Sequence, residues 1–114
     1  MYKKGQLSMN TQFKKGVLEL CVLTLLKKKD AYGYDLAEKM AQSIEIAEGT
    51  LYPLLRKLKL DGLCETYLSE RSAGPPRKYY KLTDKGKQAQ SELRTEWEAF
   101  TKNVNALMEE YDNE

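Results

Sequence analysis

Apolar and polar positions change period several times along this chain, and each change marks an element. Phe13, Val17, Leu20, Cys21 and Thr24 recur at helical spacing, with Asn10 or Thr11 placed to cap the helix. Leu18, Val22, Leu23, Leu25 and Leu26 fill much of the remaining circumference. A helix apolar on nearly all sides is covered on both of them, so one side is expected to meet the domain core and the other a second subunit. Lys27-Lys28-Lys29 closes this helix where its dipole favours cations. Asp30 is expected to open a second helix near residues 31–42, with Leu36, Ala37 and Met40 facing inward. From about Gly49 to Leu60, the leucines Leu51, Leu54, Leu55 and Leu58 form an i, i+3, i+4, i+7 stripe. The opposite face then carries Thr50, Tyr52, Pro53, Arg56, Lys57 and Lys59. Pro53 must lie in or near the first turn, because deeper in the helix it would break it. Asp61-Gly62 ends this third helix, with Gly62 suited to a left-handed closing residue.

After Gly62 the period shortens. Leu63–Leu68 and Arg77–Leu82 are short β-prone runs joined by Ser69–Pro76, whose Gly74-Pro75-Pro76 cannot pair in a central strand. This predicts a two-stranded hairpin with a basic, projecting loop, in which Tyr79 and Tyr80 point to opposite faces and one of them enters the core. Thr83-Asp84 then caps a last helix. Its apolar residues Leu93, Trp97, Phe100, Val104, Leu107 and Tyr111 are spaced 4, 3, 4, 3 and 4 apart, the seam by which two helices meet. The expected use of that seam is a dimer interface of Leu93, Trp97, Phe100, Val104 and Leu107, joined by Leu18 of the first helix; the plainer reading is a helix that packs only on its own domain. The order α-α-α-β-β-α is that of a winged helix-turn-helix: a mainly α fold with a small β-hairpin and a C-terminal dimerisation helix. Residues 1–12 read as a basic arm, 13–83 as the winged domain and 84–114 as the dimerisation helix and tail.

Composition narrows the chemistry. At 114 residues, 41% hydrophobic and 32% charged, the chain is one ordinary globular domain and neither fibrous nor disordered. Its longest apolar stretch, Val17 to Leu26, is ten residues and includes Glu19 and Thr24, too short to span a membrane. Met1–Asn10 lacks the apolar centre of a signal peptide, and Cys21 and Cys64 sit inside apolar runs as small core residues. A cytoplasmic location is therefore expected. The absence of histidine removes Ser-His-Asp and Cys-His catalysis and most transition-metal sites. No enzyme activity, cofactor or metal is expected.

The net charge of +2 hides a strong segregation: residues 1–15 carry +4, residues 16–70 carry −2, residues 71–87 carry +5 and residues 88–114 carry −5. Two basic blocks and an acidic C-terminal block fit one surface meant for a polyanion and another facing away from it. A winged helix places its third helix in the DNA major groove and its hairpin loop on the flanking backbone. In that role Arg56 and Lys57 donate to guanine or phosphate, and Thr50 and Tyr52 bond phosphate or base edges. Arg71, Arg77 and Lys78 add attraction from the wing, and Lys14 from the start of the first helix. Plainer readings stand beside these: Tyr52 packed under the wing, and Arg56, Lys57 and Lys14 as solvated surface charge. The expected partner is double-stranded DNA carrying an inverted repeat, bound by a homodimer. The alternative is a winged-helix module that binds protein rather than DNA.

Gly16–Leu23, Tyr32-Gly33-Tyr34-Asp35-Leu36, Gly49-Thr50-Leu51-Tyr52-Pro53-Leu54-Leu55, Asp61-Gly62-Leu63 and Gly74–Thr83 together resemble the signature blocks of PadR-type transcriptional regulators. The resemblance runs in order from about residue 13 to 108. It implies a bacterial or archaeal dimeric repressor whose C-terminal helix exchanges contacts with the first helix of its mate. The short final helix is similar to that of a compact subgroup that includes regulators of multidrug exporters. In that subgroup an aromatic residue lines a central pore that sandwiches flat apolar drugs. By resemblance, Trp97, Phe100, Leu93 and Leu18 would line such a site for a planar aromatic effector; as a plain alternative, Trp97 is a large packing knob. One departure concerns Ala47, where family members often carry a capping Ser or Thr.

Overall fold

The computed structural model describes residues 11–44, 46, 49–70 and 74–112, with side chains from Gly16 onward. Its elements are α1 (Thr11–Lys28), β1 (Ala31–Tyr32), α2 (Gly33–Ser43), α3 (Leu51–Leu60), β2 (Cys64–Ser69), β3 (Arg77–Leu82) and α4 (Asp84–Asp112). Ala47 and Arg71 lie outside the described residues, as does the side chain of Lys14. The four expected helices and the hairpin are present, together with one strand the sequence did not announce. Residues Ala31 and Tyr32 pair antiparallel with Tyr80 and Tyr79, so the hairpin becomes a three-stranded sheet of order β1-β3-β2. The second helix accordingly starts at Gly33. Asp30 does not open it but accepts a hydrogen bond from the Tyr67 hydroxyl at 2.7 Å.

The core forms where one face of each helix meets the inner face of the sheet. Leu18, Val22, Leu23 and Leu26 of α1 pack with Leu36 and Met40 of α2 and with Leu51, Leu54, Leu55 and Leu58 of α3; Ala31, Cys64 and Leu82 close it from the sheet. Both helix-period stripes read from α2 and α3 are the buried ones. In α1 the division is sharper than the sequence revealed. Its buried side runs through Leu18, Val22, Leu23 and Leu26, whereas Val17 and Leu20 are half-buried and Thr24 is exposed. Leu18, expected at a dimer interface and effector site, is only 5% exposed within its own chain. It is a core residue, because the helical turn that places Val22 inward places it inward too.

The end of α3 is closed by backbone geometry. Gly62 adopts φ +78°, its N–H donates to the Lys59 carbonyl at 3.0 Å, and the Leu63 N–H donates to the Leu58 carbonyl at 2.9 Å. These two bonds satisfy carbonyls that a helix end leaves unpaired, and the left-handed residue they require favours glycine. The start of α4 is tied to the same corner. Thr83 Oγ1 accepts from the Gly86 N–H at 3.0 Å and donates to the Gly62 carbonyl at 2.7 Å. Gly86 lies so near Leu63 that a Cβ there would run into the Leu63 carbonyl oxygen and into Leu82. Ala89, Gln90 and Leu93 continue the contact, with Ala89 and Leu93 packed on the core cluster. Beyond Leu93 the helix leaves the body. The molecule measures 59 × 32 × 23 Å, and this helix of 29 residues is its longest described element.

Candidate nucleic-acid interface

With Leu51, Leu54, Leu55 and Leu58 buried, α3 turns Tyr52, Pro53, Arg56, Lys57, Lys59 and Leu60 outward. Pro53 is the third helical residue, where its missing N–H removes no helix bond. Thr50 precedes the helix with helical backbone angles and makes no side-chain cap bond. Tyr52 is 52% exposed, yet its ring is held: it lies across Gly33, where an added Cβ would sit 2.8 Å from ring carbon Cε1. The glycine at the start of α2 is thus the seat of a tyrosine at the start of α3.

That contact forms the floor of an open cleft of about 670 Å³ lined by Tyr32, Gly33, Tyr34, Tyr52, Arg77, Lys78 and Tyr80. Three elements supply it: the β1–α2 junction, the first turn of α3 and strand β3 of the wing. Alternation along β3 divides its residues between the sheet faces. Arg77 and Tyr79 lie on the outer face, where Tyr79 pairs across to Tyr32 on one side and Tyr67 on the other. The rings form a ladder, with centroids 5.6 Å apart for Tyr32–Tyr79 and 5.7 Å for Tyr67–Tyr79. Tyr34 continues it, stacked on Tyr32 at 6.3 Å. The Arg77 guanidinium lies 4.6 Å from the Tyr32 ring centroid, a cation–π contact that holds the charge in place while its N–H edge can still donate. Lys78 and Tyr80 lie on the opposite face, toward α3. Burial, ahead of the neighbouring Cys64 and Tyr52, pushes the Tyr80 phenol above its ordinary range, and Arg56 pulls it the other way. Arg56 is therefore within electrostatic range of the cleft.

The cleft brings together Tyr52, Arg77 and Lys78, with Arg56 beside it and no carboxylate among the described residues that line it. Lys57 is elsewhere. Its Nζ lies 3.1 Å from Glu19 of α1 and 3.1 Å from Asp61 at the end of α3, and bonds to Asp61 and then Glu19 raise its pKa. Its ammonium is turned back toward α1 by two carboxylates and is not a free cation of the outer face. Tyr32 and Tyr34 enter the site although sequence reasoning gave them no site role, and Tyr80, one of the two strand tyrosines expected to divide between core and surface, lines it as well. The available signal was a glycine between two tyrosines at the opening of a helix, a spacing that leaves room for a third ring.

The exposed seam residues lie far from this cleft, along the projecting part of α4. Trp97 is 36% exposed, Phe100 53% and Leu107 58%, with Met108 and Tyr111 continuing the apolar side. Leu93 and Val104 are half-buried, and Leu93 packs on the core of its own chain. Among the described residues no helix is long and apolar enough to cross a membrane, and no cluster of metal-binding side chains is present.

Comparison with known proteins fits this geometry. The model of the transcriptional regulator PadR-like family matches residues 22–92, from the middle of α1 into α4. An uncharacterised protein of Lysinibacillus sphaericus is 34% identical over 99 residues, 83% of this chain and 91% of its own length. A PadR-like transcription factor structure from Bacteroides fragilis shares 44% identity and a TM-score of 0.72, covering 85% of this chain and 95% of that one. A PadR-like transcriptional regulator of Bacillus cereus shares 38% identity and a TM-score of 0.78, covering 86% of this chain and 97% of that one. A winged helix whose exposed α3 and basic wing border one phenol-lined cleft therefore belongs to the PadR-like family of transcriptional regulators, DNA-binding proteins rather than enzymes.

Proposed function

We propose that the protein is a homodimeric repressor that reads an inverted-repeat operator through α3 and the wing of each copy. The observation that carries the dimer is the apolar side of α4, where Phe100, Leu107, Met108 and Tyr111 are each at least half exposed in the single chain. A soluble regulator does not leave such a stripe in water, and its heptad spacing fits a second helix. Two copies joined along α4 present two α3 helices, and half-sites about one helical turn apart match that arrangement. In this reading Tyr52, Arg56, Arg77 and Lys78, with Thr50, meet the duplex, and the tyrosines of the cleft hold the cations against phosphate. Arg71 and Lys14 enter this reading from the sequence alone. The reading places the protein in the cytoplasm, with the chromosome.

Phe100→Glu and Leu107→Glu put a charge into the seam without touching the winged body. Each variant is expected to sediment as a monomer and to lose operator affinity by roughly two orders of magnitude, because one half-site alone is left to bind. If both variants remain dimeric, α4 is not the interface. Repression is tied to an effector in the same reading: a planar aromatic molecule seated near Trp97 and Phe100 would favour a dimer geometry that no longer matches the operator. Leu18 is not part of that site, and Leu93 can offer only its exposed edge.

A further inference from the structure

Among the described residues Gln90 is the buried polar side chain, 1% exposed, and it sits where α4 crosses α1. Its Nε2 donates to the Thr24 hydroxyl at 3.1 Å, and that hydroxyl donates in turn to the Leu20 carbonyl at 2.7 Å. Its Oε1 accepts from Lys27 Nζ at 3.4 Å. On α4 its neighbours toward the core, Ala89 and Leu93, are apolar. Apolar contact is non-directional and tolerates a helix that slides or rolls by a fraction of a turn. An amide does not. If α4 moved along α1, Gln90 would leave Thr24 and Lys27 with a donor and an acceptor stranded away from water.

Position matters as much as bonding. Leu93 is the last α4 residue packed on the core cluster, and Arg94, Thr95 and Glu96 beyond it are exposed. Gln90 is thus the directional contact that precedes the helix's departure from the body. We propose that Gln90 is a register pin: it fixes the slide and roll of α4 on α1, and with them the separation of the two α3 helices in the dimer. The inference rests on the dimeric reading given above and assigns Gln90 a positioning role, with no contact to DNA. Buried polar groups have this use elsewhere, setting which of several similar packings is adopted.

The test uses duplexes that the full-length wild-type protein selects from a randomised inverted-repeat library. Their central spacers are then lengthened or shortened by one and two base pairs. Gln90→Leu replaces the amide with an apolar group of similar size; Thr24 keeps its bond to Leu20, and the exposed Lys27 turns to water. Thr24→Val removes the same contact from the α1 side and carries the test if Gln90→Leu fails to fold. Wild type is expected to lose about tenfold in affinity for each altered spacer, and the variants less than about threefold, with the preferred spacer bound more weakly. Folded dimeric variants that keep the wild-type spacer profile overturn the pin and leave the dimer standing. A wild-type protein that sediments as a monomer overturns the dimeric reading, and the pin with it.

Discussion

Lys57 shows how a residue's neighbours decide what its charge is for. Its place on the polar side of α3 predicts a DNA contact, and only the fold reveals that Glu19 and Asp61 already hold its ammonium. A lysine whose pKa is raised on folding contributes stability below its unfolded value and loses it only as pH rises through the higher folded one. The pair is therefore intact across neutral pH, and being half exposed it is worth little to the stability of the fold. Lys78, exposed on the cleft side of β3, is the contrasting case. Lys78→Ala is expected to lower the slope of log affinity against log salt by about 1, as loss of one phosphate contact does. Lys57→Ala should leave that slope unchanged. Titrations of one operator duplex at several salt concentrations check both, and equal slopes for the two variants would return Lys57 to the DNA surface.

At the scale of elements, what the sequence made legible was periodicity. The leucine stripe of α3, the Asp61-Gly62 stop and the Thr83 cap are each local: a few residues carry the whole signal, and the structure places all three as read. Strand β1 was not legible because it is two residues long and exists only by pairing with Tyr79 and Tyr80, nearly fifty positions away. Leu18 failed for a related reason. A helix apolar all round gives no phase, so only the packed neighbours decide which side is inside. The cleft combines both situations: Tyr52 was visible on α3, whereas Tyr32 and Tyr34 became site residues once β1 brought them beside the wing. The junction of α3, β2 and α4 is where elements are least able to move. Gly86→Ala should lower stability by about 3 kcal/mol, since neither the Leu63 carbonyl nor Leu82 can give way cheaply. Gly16→Ala, in open space on α1, should be neutral or gain up to about 1 kcal/mol from helix propensity alone. Urea unfolding midpoints of the two variants decide it; equal midpoints would mean that the corner is looser than its geometry.

For the molecule as a whole, the charge segregation now has an address. Arg77, Lys78 and Lys81 of the basic block fall on wing strand β3 and Lys85 and Lys87 on the first turn of α4, while Glu92, Glu96, Glu98, Glu109, Glu110 and Asp112 fall along the rest of that helix. In the proposed complex, this division of charge would turn the basic wing toward a polyanion before any base is read. The proposed DNA-contacting residues lie on α3 and β3, whereas the proposed effector site around Trp97 lies on α4. Trp97 is the chain's single tryptophan, so its fluorescence reports on that site alone. Titration with planar aromatic dyes should quench it and weaken operator binding over the same concentration range. Dyes that release the operator with Trp97 emission unchanged would place the effector elsewhere.

The length of α4 beyond its last packed residue has a mechanical consequence. From Arg94 to Asp112 the helix continues past that residue for about 28 Å, at 1.5 Å per residue. Such an arm converts angle into distance: a tilt of about 10° at its root carries its tip roughly 5 Å, farther than the ~3.4 Å rise of one base pair. In the proposed effector-responsive dimer, a displacement too small to disturb the core would be geared up to the scale on which DNA is read, and a modest ligand energy would control a large change in fit.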